Sequence, residues 1–381
     1  MAFEATHKQY TPEIIDLLAD IGSVTISQTA TINTNGWNAE ITAGEGFKTL
    51  KEGKIVYVYE SSLIRFAGSN VELKSSLAMN FAVFKSDLNG TDYYAEIRRT
   101  YGDEKPDKTV IIPYENWIAN GSAFQFGYNE IAAKEMSDEL FVTIYRGDGT
   151  PVSLEKVDSV QLYAERQLKP NPTQTQAKLN KVLVDMLNYG AAAQTYMGYN
   201  VDSLANATLT ADQLAMADDY NSSMIASVTA VDSDKMGVFT RSGFDKCHPS
   251  ISFGTPFSIS YYFAPSNTPD NGMKLYYWDK EAFDGVDVLT VDNATGVLDM
   301  TLSGTAYKGA VEGIAAKEVD ETIFVAGVYE SDGVTYCTGV IPYSLGAYCV
   351  DRIANGSANM QAFGSATAVY GYYAKVYFNI A

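Results

Sequence analysis

Ile131-Ala-Ala-Lys-Glu-Met-Ser-Asp-Glu-Leu-Phe-Val142 returns as Ile314-Ala-Ala-Lys-Glu-Val-Asp-Glu-Thr-Ile-Phe-Val325, so this chain uses one unit twice. Working outward, Tyr145-Arg-Gly-Asp-Gly149 answers Tyr329-Glu-Ser-Asp-Gly333, and Tyr189-Gly190 with Tyr196-Met197 answers Tyr370-Gly371 with Tyr377-Phe378. The register shifts by 183 residues at Ile131, 184 at Tyr145 and 181 at Tyr189, so the copies differ only by small insertions. A second echo, Ile118-Ala-Asn-Gly-Ser-Ala123 against Ile353-Ala-Asn-Gly-Ser-Ala358, lies 235 residues apart and reads as a recurring turn outside the repeat.

The text between these anchors is written in strands. Lys54 to Tyr59, Ala78 to Phe84, Tyr93 to Ile97, Phe257 to Phe263, Met273 to Trp278, Val286 to Val291 and Ile323 to Val325 are rich in β-branched and aromatic residues. Asn89-Gly90 and Asp148-Gly149 read as hairpin turns between such runs. Thr11-Pro12-Glu13 ahead of an apolar stretch closed by Gly22 predicts a short N-terminal helix. Lys178 to Met197 carries its apolar residues at helical spacing, and Gly190-Ala-Ala-Ala193 shaves one face for close packing. Thr210 with Gln213 forms a capping-box pattern and marks a connector helix. Copy two has Tyr372-Tyr373 where copy one has Ala191-Ala192, so its end is expected to have lost that shaved face, as a strand or a poorer helix.

The fold class expected is mainly β: an N-terminal arm and helix (1–40), β-sandwich-like module 1 with its C-terminal helix (41–200), a helical connector (201–235) and module 2, the degenerate copy (236–381).

Composition narrows function by exclusion. In 381 residues, 46% hydrophobic content is ample for packed cores, and 27 tyrosines suit half-buried strand faces. A net charge of −19 repels phosphate backbones and excludes nucleic acid as an expected partner. Three cysteines, Cys247, Cys337 and Cys349, rule out a disulfide framework, and Cys247-His248 reads as a structural pair rather than half a metal site. The first ten residues lack the basic and apolar regions of a secretory signal, and no apolar run is long enough to span a bilayer. The expectation is therefore an extracellular protein whose signal has been removed, or one released at lysis as virion components are.

Lys-Glu-Met-Ser-Asp-Glu-Leu-Phe-Val (134–142) and Met186-Leu-Asn-Tyr-Gly-Ala-Ala-Ala-Gln-Thr-Tyr196, with the Ala78 to Phe81 strand and the Tyr145 to Gly149 turn, resemble a repeat module of gut Firmicutes. That module occurs in large surface proteins, some with leucine-rich repeats or dockerins, and in proteins of phages infecting those bacteria. The resemblance covers residues 65–200 well and 250–381 in degenerate form. It implies a β-rich, non-enzymatic module for display, adhesion or assembly, and carries over no catalytic residue or cofactor.

Single sites read modestly. Arg146-Gly147-Asp148 spells an integrin-binding tripeptide but is better explained as turn chemistry. Lys134-Glu135 and Lys317-Glu318 recur and are expected to cap the turn entering a strand. Asp87, Asn89 and Asp92 form a loose calcium-type loop lacking the distal bidentate Glu. Trp37, Trp117 and Trp278, with the pairs Tyr93-Tyr94, Tyr261-Tyr262 and Tyr276-Tyr277, offer a sugar-stacking platform, although neighbours on a strand face opposite sides.

The function expected first is a structural subunit of an exterior assembly, most specifically a phage virion component. It would associate with itself and with neighbouring structural proteins through Phe3, Tyr10, Ile14 and Leu17 of the arm and through Tyr372, Tyr373 and Tyr377. The alternatives are a bacterial surface module that binds glycans and a hydrolase with an unrecognised carboxylate or metal site.

Overall fold

A computed structural model describes residues 30–34, 37–41, 54–56, 63–73, 77–101, 107–232, 235, 243–252 and 257–378. The expected helix after Thr11 and the arm residues Phe3, Tyr10, Ile14 and Leu17 lie outside them. The chain is mainly β, with several antiparallel sheets. A small three-stranded sheet comes first, with β1 (Ala30–Thr34) antiparallel to β2 (Trp37–Ile41) and β2 parallel to β3 (Lys54–Val56).

Module 1 is a sandwich of two four-stranded sheets. One sheet has the order β4 (Phe66–Leu73), β5 (Leu77–Phe84), β9 (Ala123–Ile131), β8 (Ile118–Asn120). The other has the order β11 (Lys156–Asp158), β10 (Leu140–Arg146), β6 (Tyr93–Arg99), β7 (Lys108–Pro113). Period-two alternation builds the core: Met79, Phe81 and Val83 of β5 face Ala95 and Ile97 of β6 and Val142 and Ile144 of β10, all fully buried. Asn89-Gly90 is a correction to the reading above. It does not close a hairpin, because β5 and β6 belong to different sheets and the turn carries the chain across the sandwich.

Module 2 repeats this plan element by element. β12 (Phe244–Ser252), β13 (Phe257–Pro265) and β16 (Ala306–Ile314) match β4, β5 and β9, while β14 (Met273–Trp278), β17 (Ile323–Ser331) and β19 (Ile341–Tyr343) match β6, β10 and β11. One strand, β15 (Gly296–Ser303), does the work of both β7 and β8. Its first half pairs with β14 and its last three residues pair with β16, so the two sheets are continuous along that side. Module 1 breaks the same path at Tyr114–Asn116, where the Trp117 indole N–H donates to the Ile112 carbonyl at 3.1 Å. Asp332-Gly333 closes β17 onto β18 (Val334–Cys337) with φ of 52° and 71°, the left-handed pair that a two-residue hairpin needs.

Each module ends in a pair of helices that the sequence half concealed. In module 1, α1 (Val160–Gln167) leads to α2 (Gln174–Met197); the short connector helix α3 (Ala211–Leu214) follows. Module 2 has α4 (Lys280–Asp284) between β14 and β15 and ends with α5 (Leu345–Asn355) and α6 (Ala358–Tyr377). Ser159 and Ser344 cap the first helix of each pair, accepting the Leu162 and Ala347 backbone N–H groups at 3.0 Å. Thr210 and Gln213 form the expected capping box of α3. The final segment is a helix through Tyr377, not a strand, and the Ile353 echo falls at the α5 to α6 turn while the Ile118 echo falls between β8 and β9.

The shaved helix face is present in both copies, which corrects the expectation that copy two had lost it. A Cβ built on Gly190 would lie 2.8 Å from Met136 Sδ and 3.2 Å from the Ala133 carbonyl oxygen; on Gly371 it would lie 2.8 Å from Val319 Cβ and 3.0 Å from the Ala316 carbonyl oxygen. Both glycines therefore seat their helices on the same repeated turn. Glu135 and Glu318 lock those turns by accepting the Ala132 and Ala315 backbone N–H groups, each at 3.0 Å.

α2 and α6 pack antiparallel between the modules. Tyr196 stacks on Phe363 (centroids 5.3 Å apart) near one end, and the Lys181 ammonium lies 3.9 Å from the Tyr373 ring centroid near the other. The core of module 1 runs through this helical layer into Val319, Leu345, Phe363 and Tyr370 of module 2.

Candidate interaction surface

The repeat makes possible a comparison that neither copy offers alone: what covers the outer face of the β6/β10 sheet and of its counterpart in module 2. In module 1, Phe141 pairs across strands with Arg98, and in module 2 the equivalent pair is Phe324 with Trp278. Phe324, Trp278 and Ala326 are fully buried. The cover is the connection from β14 to β15, residues 279–295, which brings α4 and Leu289 over the sheet. Phe283 stacks on Phe324 with centroids 3.7 Å apart, and Trp278, Phe283, Leu289, Phe324, Cys337 and Val340 form a core of their own. The cover is pinned by Asp279 accepting the Ala282 N–H at 2.8 Å and by the Trp278 indole N–H donating to Asn293 Oδ1 at 2.9 Å. Val286 to Val291, read above as a strand, is this cover: Leu289 turns down onto the sheet instead of alternating along a ladder.

Module 1 carries no such insertion. Its β6 to β7 connection, residues 100–107, reads Thr-Tyr-Gly-Asp-Glu-Lys-Pro-Asp and holds no aliphatic side chain. Among the described residues nothing corresponding covers the outer face. Ile111 is 60% exposed and Val157 40%, and between them lie Arg98, stacked over Phe141 at 4.1 Å, and the half-buried pair Tyr94 and Tyr145, with ring centroids 5.2 Å apart. An antiparallel sheet tolerates one wet face; this one carries Glu96, Thr109 and Thr143 at the same outward register, with the aromatic and branched residues as a strip among them. Arg98 is held by Asp107 at 3.2 Å and Glu155 at 3.9 Å, all partly exposed, so these ion pairs are weak and exchangeable.

A second concavity opens at the other sheet. Glu72, Asn80, Lys108, Gln125, Tyr128 and Asn129 line a shallow cleft of about 590 Å³ along the free edge of β9. Asn80 Nδ2 donates to Asn70 Oδ1 at 3.2 Å and to Glu72 at 3.3 Å, giving a polar floor.

The remaining sequence candidates resolve as follows. Asp87, the centre of the calcium-type loop, accepts from Arg65 on both oxygens at 2.8 Å, and these bonds hold its carboxyl below the usual range. Its oxygens are committed to a guanidinium, Asn89 exchanges backbone hydrogen bonds with the Tyr93 hydroxyl, and Asp92 lies against Gly147, which corrects the calcium reading. Among the described residues no group of three or more His, Cys, Asp or Glu is placed to hold a metal ion. Asp148 accepts the Thr150 N–H at 2.9 Å, as a turn aspartate does. Trp117 and Trp278 are buried, which removes them from any sugar platform, and the Trp37 side chain lies outside the described residues. Tyr93 and Tyr261 face the core while Tyr94 and Tyr262 stand half-buried outside; Tyr276 and Tyr277 are both half-buried. His248 stacks on Tyr262 at 5.1 Å, and the Cys247 side chain lies outside the described residues. Of the three terminal tyrosines, Tyr373 is engaged within the chain by Lys181 and by its hydroxyl's bond to Asp218. Tyr372 packs edge-on against Tyr373 at 5.0 Å, and Tyr377 lines a hollow with Tyr163, Leu179 and Leu183.

Two buried charge clusters had no sequence signal. Arg99, 2% exposed, bonds Glu135 at 2.8 Å and Asp138 at 2.7 Å, and the Tyr199 hydroxyl donates to Asp138 at 2.6 Å, tying β6, the repeated turn and the end of α2 together. Asp185, 2% exposed on α2, accepts no hydrogen bond; Lys181 Nζ stands 3.9 Å away, and burial pushes the carboxyl up to about 7. At that exposure no substrate reaches it.

No family model matches the chain, and no curated protein matches it. Among solved structures it is similar to the FN1-FN3 domains of chicken CNTN1, at 8% identity and TM-score 0.20 over 70% of this chain. The chain spans 59% of the length of that one. At that score the likeness carries no argument, and the β-sandwich description rests on the strand pairing and the two cores. No described helix is long and apolar enough to cross a membrane.

Proposed function

We propose that this chain is a non-enzymatic structural protein that acts as a subunit of an exterior multi-subunit assembly. The observation that carries the reading is the unequal treatment of one face: module 2 buries Phe324 and Trp278 beneath its own insertion, whereas among the described residues module 1 has no counterpart over half-buried Tyr94, Phe141 and Tyr145 and exposed Ile111. Aromatic and branched residues gathered on one sheet face, with the weak, exchangeable ion pairs of Arg98 among them, have the makeup of a protein–protein contact. The resemblance to modules of gut Firmicutes and their phages supports an extracellular setting and, as its most specific form, a virion component.

The second reading is a bacterial surface module that binds glycans. What favours it is the cleft at Asn80 and Gln125, whose amide, carboxylate and ammonium groups beside Tyr128 suit a hydroxyl-rich ligand. The test is solution mass by size-exclusion chromatography with light scattering over a concentration series. A discrete or growing oligomer supports assembly. A monomer at every concentration contradicts it and turns attention to a glycan screen on the cleft.

A further inference from the structure

We propose that the outer face of the β4, β5 and β9 sheet in module 1 binds an uncharged glycan chain, which runs from the cleft at Gln125 to the end of α6 in module 2. This rests on the glycan reading of that cleft and adds the ligand class, its course and the part played by the second module. The hollow between Tyr163, Leu179 and Tyr377, of about 560 Å³, shares Glu72, Asn80 and Gln125 with the cleft, so the two form one groove. Phe378, 43% exposed, joins Tyr377 in the second hollow, where Lys317 of module 2 also lies.

The internal repeat shows what the groove replaces. Alternating with buried Phe81, Val83 and Phe126, the outward row Gly68, Ala82, Gln125 corresponds to His248, Tyr262, Lys308 of module 2. There His248 stacks on Tyr262 and Lys308 Nζ lies 6.0 Å from the Tyr262 ring centroid, so side chains fill the face. Module 1 puts a glycine and an alanine where the two rings stand. In the next row, Asn70, Asn80, Gly127, a Cβ on Gly127 would lie 2.2 Å from Asn80 Oδ1, so the glycine lets that amide lie along the floor.

Internal hydrogen bonds fix which way the amides point. Asn80 Nδ2 donates to Asn70 Oδ1 and to Glu72 Oε2, and Asn120 Nδ2 donates to Gln125 Oε1 at 3.2 Å. The Asn70 amide N–H groups, the Asn80 carbonyl and the Gln125 amide N–H groups remain for a ligand, a donor, an acceptor and a donor side by side. Sugar hydroxyls donate and accept at once and suit that alternation, while the Phe378 ring, edge-on to Tyr377 at 5.1 Å, offers an apolar surface to a pyranose face. The charged groups of the groove already have partners: Glu72 accepts from Asn80, Lys108 lies 5.8 Å from the Tyr128 ring centroid and Lys317 lies 3.6 Å from Glu318. An uncharged chain therefore fits better than an ionic one.

The test is saturation-transfer difference NMR of the full chain with cellohexaose, xylohexaose, mannohexaose and chitohexaose as neutral probes and hexagalacturonate as the charged one. Asn80→Ser and Ala82→Tyr place in module 1 the residues that module 2 carries at the same positions, and Asn80→Ser carries the test if circular dichroism shows the bulkier variant unfolded. The expected result is binding of at least one neutral hexaose in preference to hexagalacturonate, about tenfold weaker in Asn80→Ser and lost in Ala82→Tyr. Phe378→Ala should weaken the same hexaose about fivefold. Neutral binding that both floor variants leave unchanged overturns the proposal while the glycan reading stands. Unchanged binding in Phe378→Ala overturns the path into module 2, and a preference for hexagalacturonate overturns the ligand class. No binding by any probe overturns the proposal and the glycan reading together and leaves the assembly reading standing.

Discussion

Tyr189 and Tyr370 hold equivalent positions in the two repeats and stack on each other, ring centroids 5.5 Å apart and planes 19° apart, both buried. A residue that meets its own repeat partner marks a local two-fold relationship, so α2 and α6 join the modules as the subunits of a symmetric dimer are joined. The duplication thus uses its helical face internally and leaves the sheet faces to differ.

The Tyr189 hydroxyl is buried with no hydrogen-bond partner, and burial raises its pKa well above the ordinary value. Tyr189→Phe is therefore expected to be neutral or stabilising by up to ~1–3 kcal/mol, because an unpaired buried hydroxyl is removed. Tyr189→Ala should cost about 3–5 kcal/mol as a large core cavity opens. Urea unfolding midpoints of the two variants check both signs.

Gly190→Ala and Gly371→Ala should both destabilise, by roughly 1–3 kcal/mol, even though alanine is the better helix former by about 1 kcal/mol. The second should cost more. At Gly190 the nearest atom is a flexible methionine sulfur, whereas at Gly371 it is a β-branched Cβ backed by a carbonyl oxygen. Equal tolerance at both sites in thermal unfolding would contradict the shared seating.

Asp185 makes stability fall as pH rises. Its folded carboxyl is raised to about 7 by burial, with Lys181 opposing and Asp218 adding to the shift, while an unfolded aspartate titrates near ~4. Between those values the folded state binds more protons, so the slope of stability with pH is negative; the penalty is absent below the lower value and complete above the upper one. Asp185→Asn should recover on the order of 2–4 kcal/mol at pH 8 and almost nothing at pH 4. Lys181, Asp218 and Tyr373 are the neighbouring charged or titratable groups, and because Lys181 opposes the shift, substituting it should extend the fall in stability to higher pH.

Phe283→Ala should uncover module 2. Phe283 is 6% exposed and stacks on Phe324, so its loss should cost about 3–5 kcal/mol and expose Phe324 and Trp278. The expected readouts are a lower unfolding temperature, new binding of an apolar dye and a rise in apparent mass. A destabilised variant with no new association would argue that this type of face is not adhesive.

The duplicated sequence made most of the architecture legible, since a repeated turn and a shared Tyr-Gly in the following helix predict two similar units. Three things were hidden for physical reasons. Val286 to Val291 looks like a strand because its apolar residues alternate, and only the presence of Phe324 beneath them makes them a cover. Tyr372-Tyr373 looks unlike Ala191-Ala192, yet packing demands smallness only at Gly371, one residue earlier, so the helix survives. The Arg99 and Asp185 clusters gather residues from distant strands and helices, which no local pattern announces; the clue in hindsight is an inward-facing arginine at the end of an alternating strand. The candidate surface itself became visible only when the two copies were compared in three dimensions, because what distinguishes it is the short connection after β6.

The most direct measurement is hydroxyl-radical footprinting of the full-length protein at concentrations below and above its association range. The account predicts that oxidation of Tyr94, Phe141 and Tyr145 falls on association while that of Tyr262 in module 2 stays unchanged. An assembled protein whose Tyr94, Phe141 and Tyr145 remain as reactive as in the monomer would contradict it.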